Sequence, residues 1–317
     1  MQARSFVAGI LATALFSAAS VHAETIIDKN LPYPTGTPTA QDIANQLYFV
    51  NQFHGFKRYA IVKKGKKITV ILNKAKGKKA KTLTVERYKK NDWDDPSVRS
   101  KEIAIFRSGK LRGTGMLIVD FADDSKPQSY SIWLPALRKI RRFAQPALDD
   151  SWGGTDFTFG DVILRKPFHD THELLGKETF NDCLGAIEGV KTKWIKEMPK
   201  PSCRPKGKEV YKLKSTSKFE NWWYDHRITY VDAKSFADYR TEYFKNGEKI
   251  KVIDRDWVPL DVENDPRKVG WGYWYGKTFK TGHETFAVIP DEVTVIDDQV
   301  DKPDAFWSEK SLRKIKR

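Results

Sequence analysis

From Phe53 almost to its end the chain repeats one pattern: short runs rich in β-branched and aromatic residues, broken by turn-forming ones. Ile68–Leu72 and Thr82–Val85 flank Lys76-Gly77 and read as a hairpin. Further strand runs follow at Glu102–Phe106, Lys110–Phe121, Gln128–Leu134, Glu209–Ser215, Arg227–Val231, Phe236–Phe244, Lys249–Trp257 and Thr278–Ile289. Asn246-Gly247, between two alternating arms, has type I′ turn chemistry, because both central residues of that turn need positive φ. So many successive strands cannot stay flat, since strand twist accumulates; the sheet must curve, close or split into layers.

One helix precedes the strands. Thr39 can N-cap it with Asp42 near the third position, and Ile43, Leu47 and Val50 recur at helical spacing to about Phe53. A last helical turn follows Pro303, using Phe306, Trp307 and Leu312. An early helix before a long antiparallel meander makes the class β-rich α+β. Residues 24–38 read as a linker, and 39–317 as a single domain with an aromatic-rich extension from about Trp257. A closed or half-closed barrel of this kind often holds an apolar ligand in its mouth.

The first residues give the chain an address. Arg4 precedes the apolar run Phe6–Val21, and Val21-His22-Ala23 fits a small-x-small cleavage site. Residues 1–23 therefore read as a Sec-type signal peptide, cleaved after Ala23, which sends the protein to the periplasm. No run of 18 uninterrupted apolar residues occurs, which excludes a polytopic membrane protein. In an oxidising compartment Cys183 and Cys203 are expected to pair. The bond would staple the loop Gly185–Pro201 and contribute about 3 kcal/mol by the chain-entropy argument.

The charge is uneven. Residues 24–145 hold 25 cations and 11 acids, whereas 146–317 hold 30 of each. Lys57–Lys81 is densest, with 11 cations and no acid. Lys63, Lys64, Lys66 and Lys67 there read either as a strand edge kept soluble by charge or as a basic dock for anionic headgroups, envelope polymers or an acidic partner. Nucleic acid is not an expected partner for an exported protein.

Catalytic signatures are mostly absent. There is no Gly-x-Ser-x-Gly elbow and no His-Glu-x-x-His pair. Gly272 and Gly276-Lys277-Thr278 miss phosphate-loop spacing by one residue. His169 and His172 with Glu173 read as surface-loop histidines rather than metal ligands, and Asp123-Asp124 as turn residues. No enzyme, metal or cofactor is expected.

The most distinctive stretch is Trp133-Leu134-Pro135-Ala136-Leu137-Arg138, continuing through Arg141 and Arg142 to Gly154-Thr155-Asp156-Phe157-x-x-x-Asp161. A strand ends at Leu134, Pro135 breaks its ladder, and the basic stretch returns toward the sheet. Asp156 and Asp161 are placed to cap backbone amides or to pair with Arg141 and Arg142. This run resembles the bacterial outer-membrane lipoprotein-sorting family, the LolA-like group often found with RND-type exporters. Gly113-Thr114-x-Met116-Leu117-Ile118 matches too, as do Tyr224, Ile228–Asp232, Tyr239–Tyr243 and Asn246-Gly247. The resemblance covers about residues 40 to 255; the cysteine loop looks inserted and the tail lies beyond it.

The resemblance implies a curved antiparallel sheet wrapped as an incomplete, half-open barrel, with helices covering its open side. It implies a periplasmic protein that binds lipid or lipoprotein acyl chains. Its partners would be an RND-type exporter or an outer-membrane receptor, with transient contact to a membrane surface. On this reading Leu117, Val119 and Phe121, with Tyr130, Ile132 and Leu134, are the candidates to line the lipid cavity.

Overall fold

The computed structural model describes residues 27–163, 165–260 and 265–315. The leader at 1–23 lies outside the described residues. No described helix is long and apolar enough to cross a membrane.

Helix α1 spans Ala40–Asn51. Thr39 caps it as a reciprocal capping box: its side chain accepts from the Asp42 amide, and the Asp42 carboxylate accepts from the Thr39 amide. Its buried stripe of Ile43, Ala44, Phe49 and Val50 supplies the helix's share of the main core.

Fifteen strands follow among the described residues. The first seven are Arg58–Ile61 (β1), Thr69–Lys74 (β2), Lys81–Lys90 (β3), Val98–Phe106 (β4), Gly115–Phe121 (β5), Ser129–Leu134 (β6) and Lys139–Phe143 (β7). After the short helix Phe159–Val162 (α2) come Asp170–Thr179 (β8), Glu209–Ser217 (β9), His226–Asp232 (β10), Asp238–Lys245 (β11) and Glu248–Pro259 (β12). Val269–Thr278 (β13), His283–Val288 (β14), Thr294–Ile296 (β15) and helix Glu309–Leu312 (α3) complete the chain.

All strands join one antiparallel sheet in the order β7-β6-β5-β4-β3-β2-β14-β13-β12-β11-β10-β9-β8. It is two meanders welded along one seam, where β14 pairs with β2 through Phe286↔Leu72 and Ala287↔Ile71. Strand β1 pairs with β3 and β15 to one side. The outermost strands, β7 and β8, do not pair with each other, so the curved sheet stays open, the half-barrel that the family resemblance implied. The Asn246-Gly247 turn has φ of 50° and 78°, as type I′ chemistry demands.

Several sequence expectations change here. Lys110–Phe121 is not all strand: Gly109–Leu111 is a 3₁₀ turn, and β5 starts at Gly115. Phe236 sits in the β10–β11 turn at φ 57°. Thr278–Ile289 is split by a turn, with Thr278 ending β13 and His283 opening β14. The tail beyond Trp257 is not appended to the domain; β13 and β14 occupy the middle of the sheet.

Each sheet face is covered by a different part of the chain. On the outer face the C-terminal segment buries Trp307 and Leu312 against Ile103, Ile105 and Leu117. The Cys183–Cys203 loop, closed by a disulfide, covers the same face further along. Leu184 and Ile187 are buried there, and the Ser202 amide donates to the Tyr273 hydroxyl at 2.9 Å. The inner face is covered by α1 and by the segment from Leu148 to Ile163.

A plugged apolar cavity on the inner face

Strand alternation fixes what the inner face presents. Thr69 and Ile71 on β2, Val85 and Arg87 on β3, Glu102 and Ala104 on β4, and Met116 and Ile118 on β5 all point inward. Register places Met116 opposite both Ala104 and Ile132, and Ile118 opposite Glu102 and Tyr130. Trp271, Trp274 and Ala287 contribute from across the seam. The segment of the Gly-Thr-Asp-Phe motif closes over these residues with Trp152, Phe157, Phe159, Val162 and Ile163. Between sheet and plug remains a mainly apolar cavity of about 90 Å³. That is well below the ~300–1,000 Å³ of ordinary small-molecule sites. A space of that size does not hold a molecule as large as an acyl chain.

The motif residues explain how the plug is held. Phe157 meets Trp274 edge to face at 5.4 Å and lies over Gly276, where a Cβ would come within 2.8 Å of its ring. The buried Asp156 carboxylate accepts from Thr278 Oγ1 at 2.6 Å and Thr285 Oγ1 at 2.8 Å, and His283 Nδ1 lies 2.6 Å away. Asp161 closes the Thr158 capping box of α2, accepts from the Tyr243 hydroxyl, and pairs with Lys251 at 2.6 Å. Burial pushes the Asp161 carboxyl up, but the Lys251 ammonium and the donors around it outweigh this and hold it at about 2. Neither aspartate pairs with Arg141 or Arg142: Arg142 binds Glu309 at 2.7 Å, and Arg141 is exposed.

One end of the cavity is polar. Arg87 binds Glu102 in a bidentate pair at 2.6 and 2.7 Å and lies over the Trp271 ring. Beyond it Arg99 pairs with Asp120 and Asp124, and Lys166 also reaches Asp124. Asp124 is thus an anchor of this network, not only a turn residue. Lys89, next inward-facing on β3, is buried and donates to Gln52 Oε1. Burial lowers its pKa to about 8. His54 behind it is held well below its usual range, first by burial and then by the Lys89 charge.

The sequence-predicted cavity residues divide between the faces. Tyr130 lines the cavity, and Ile132 packs in the same inner cluster as Met116. Leu117 and Val119 face outward, under Trp307 and Leu312. Phe121 ends β5 beneath the Lys126 ammonium, 3.7 Å from its ring centroid. Leu134, Pro135 and Ala136 line a separate groove with Leu111. Strand β5 is apolar on both faces, Met116-Leu117-Ile118-Val119, so its alternation carries no sign of which side is inner. Trp133 packs outward with Ile140, Leu137 is exposed, and Arg138 turns the β6–β7 hairpin at φ 50°. Gly154 lies in the turn leading into the plug.

The remaining candidates have plain places. Lys63, Lys64, Lys66 and Lys67 form an exposed turn in which Lys67 pairs with Glu292. His169 and His172 are not on a surface loop: His172, half-buried on β8, contacts Ser215 Oγ at 2.9 Å and the Pro167 carbonyl at 2.8 Å. Burial, then the nearby Arg165 charge, lower His169 to about 4. Among the described residues no cluster of His, Cys, Asp and Glu could hold a metal.

A family model described as "Uncharacterized protein" matches residues 98–289, more than half of the chain. The chain belongs to that family, and its fold is LolA-like. The match runs through β13 and β14, so the strands beyond residue 255 are part of the family's shared core. A DUF1329 family protein from Desulfovibrio piger is similar over 87% of this chain and 100% of its own, with TM-score 0.63 and 15% identity. A putative outer membrane lipoprotein-sorting protein domain from Vibrio parahaemolyticus aligns over 86% and 98%, with TM-score 0.62 and 14% identity. A LolA superfamily protein from Nitrosomonas europaea covers 87% and 100%, with TM-score 0.52 and 15% identity. At these identities the likeness speaks for fold. No curated protein matches the sequence.

Proposed function

We propose that this protein is a periplasmic carrier for lipid or lipoprotein acyl chains, serving outer-membrane trafficking or an RND-type exporter. The observation that carries this reading is the apolar cavity on the inner face, closed by a plug that contains the family motif. Each methylene moved from water into such a cavity gains about 0.8 kcal/mol, so a chain of about 15 is held without polar specificity. The plug is held by the packing of Phe157 and its neighbours, by Asp156 and Asp161, and by side-chain bonds such as those of Arg255 to the Asp161 carbonyl and Gln52 to the Ile163 carbonyl. Among the described residues no strand ladder joins it to the sheet, so it can withdraw while the sheet stays intact. Export through the leader at 1–23 places it between donor and acceptor membranes.

The test is lipid occupancy. Protein purified from the periplasm of a Gram-negative host should yield acyl lipid on organic extraction, detected by mass spectrometry. Protein that is lipid-free and also fails to bind fluorescent fatty acids would refute the carrier reading. A second reading rests on the exposed turn of Lys63, Lys64, Lys66 and Lys67, four cations that share one nearby carboxylate, Glu292, which pairs with Lys67 and feels Lys64. They would dock anionic envelope polymers or an exporter subunit. Reversing their charge should then abolish a salt-sensitive association and leave lipid content unchanged; association indifferent to both salt and substitution would end that reading.

A further inference from the structure

The charges at the polar end of the cavity do not balance. Arg87 is matched by Glu102, and Arg99 and Lys166 by Asp120 and Asp124. Lys89 is left over. It is 3% exposed, joins no ion pair among the described residues, and has Gln52 Oε1 as its one hydrogen-bond acceptor, although an ammonium carries three donors. Burying an unpaired ammonium is costly, and a site that keeps one is a site waiting for an anion.

Its placement says which kind of anion. Val85, Arg87 and Lys89 lie on one face of β3, so the strand leads from the apolar cavity to the unpaired cation in two steps of about 7 Å each. Resting on the carrier reading, we propose that the cavity is built for an amphiphile with a compact, negatively charged head, an acyl carboxylate or a phosphate monoester, whose head is received by Lys89. The other groups around it do not compete for that role. Arg87 is occupied by Glu102, Arg99 by its two aspartates, and burial keeps His54 from carrying a charge at neutral pH. The space beside Lys89, Gln52 and Gln128 is about 10 Å³, roughly one water, so a head enters it only as the plug withdraws and the space opens, which disfavours a bulky one. Glu102 and Asp120 act on Lys89 from a distance, but burial and the Arg87 and Arg99 charges outweigh them and keep its pKa low.

The test compares ligands with one tail and different heads, read by fluorescence of Trp152, Trp271 and Trp274, which line the cavity. Laurate should bind at least about tenfold more tightly than dodecanol, the worth of one charge-assisted hydrogen bond. Dodecyl phosphate should rank with laurate, and either order of the two supports the proposal and identifies the head. Dodecylphosphocholine should be weaker. Lys89→Met should bring laurate down to dodecanol's affinity and leave dodecanol unchanged, while Lys89→Arg should keep part of the preference. Equal binding of laurate and dodecanol to the native protein would overturn the headgroup role and spare the carrier reading, as would a preference that survives Lys89→Met. Dodecylphosphocholine binding as tightly as laurate would overturn the compact head. Failure of all four ligands to bind would overturn both.

Discussion

Replacing Lys89 by methionine should stabilise the ligand-free protein, an unusual outcome for a buried position. Lowering the lysine pKa from 10.5 to about 8 corresponds to about 3 kcal/mol spent keeping the charge inside at neutral pH. Methionine has nearly the same length and no charge. The substitution leaves Gln52 Oε1 without its donor, a loss of about 1 kcal/mol, while Gln52 Nε2 keeps its bond to the Ile163 carbonyl at 2.6 Å. The net gain is about 2 kcal/mol at pH 7. The advantage falls with pH, and above about pH 10.5, where the lysine is neutral in both states, the lost Gln52 bond leaves the variant about 1 kcal/mol less stable. Between about pH 8 and 10.5 the unfolded chain still binds the Lys89 proton and the folded one does not, so wild-type stability rises across that window and the variant's advantage shrinks. Denaturant midpoints of delipidated wild type and variant at pH 7, 9 and 10 would measure both effects. A variant less stable than wild type at pH 7, or a difference constant across the three pH values, would refute the reasoning.

Phe157→Ala should cost about 3–5 kcal/mol by emptying the space against Trp274, read as a lowered unfolding midpoint, and should speed lipid exchange by loosening the plug. Asp161→Asn should remove an acid-sensitive increment: with the folded pKa held at about 2 against 3.8 unfolded, the stability that Asp161 adds is complete above about pH 4 and is lost as pH falls toward 2. Wild type should therefore lose about 2 kcal/mol more than the variant between pH 4 and pH 2 in acid titrations followed by fluorescence. Replacing both Cys183 and Cys203 by serine should lower stability by about 3 kcal/mol while the protein stays folded, since Leu184 and Ile187 still anchor the loop.

What was legible in the sequence follows from local chemistry. The Thr39 cap, the Asn246-Gly247 turn and the hairpin at Lys76-Gly77 are each dictated by a few neighbouring residues, and each stands as read. Strand β7 was half seen, as a basic stretch returning beyond Pro135. Strand β8 carries little signal in the sequence, because it runs through charged and glycine residues and its buried pattern is weak. The Gly-Thr-Asp-Phe motif is visible in the sequence but its partners are not, since Asp156 binds residues more than 100 positions away.

The sequence by itself determined that this chain makes a long antiparallel meander too twisted to stay flat, led by one capped helix. Turn chemistry and alternation act over a few residues, so they can be read without knowing the neighbours. Only the tertiary structure decided where the two meanders join, which face of β5 is inner, and that Lys89 lies buried without an ion pair just beyond the cavity's Arg87–Glu102 end. Those facts depend on pairing across the β2–β14 seam and on the segments that cover each face. A run such as Met116-Leu117-Ile118-Val119 fits either orientation until the Trp152–Ile163 plug and the Trp307 tail each take a side.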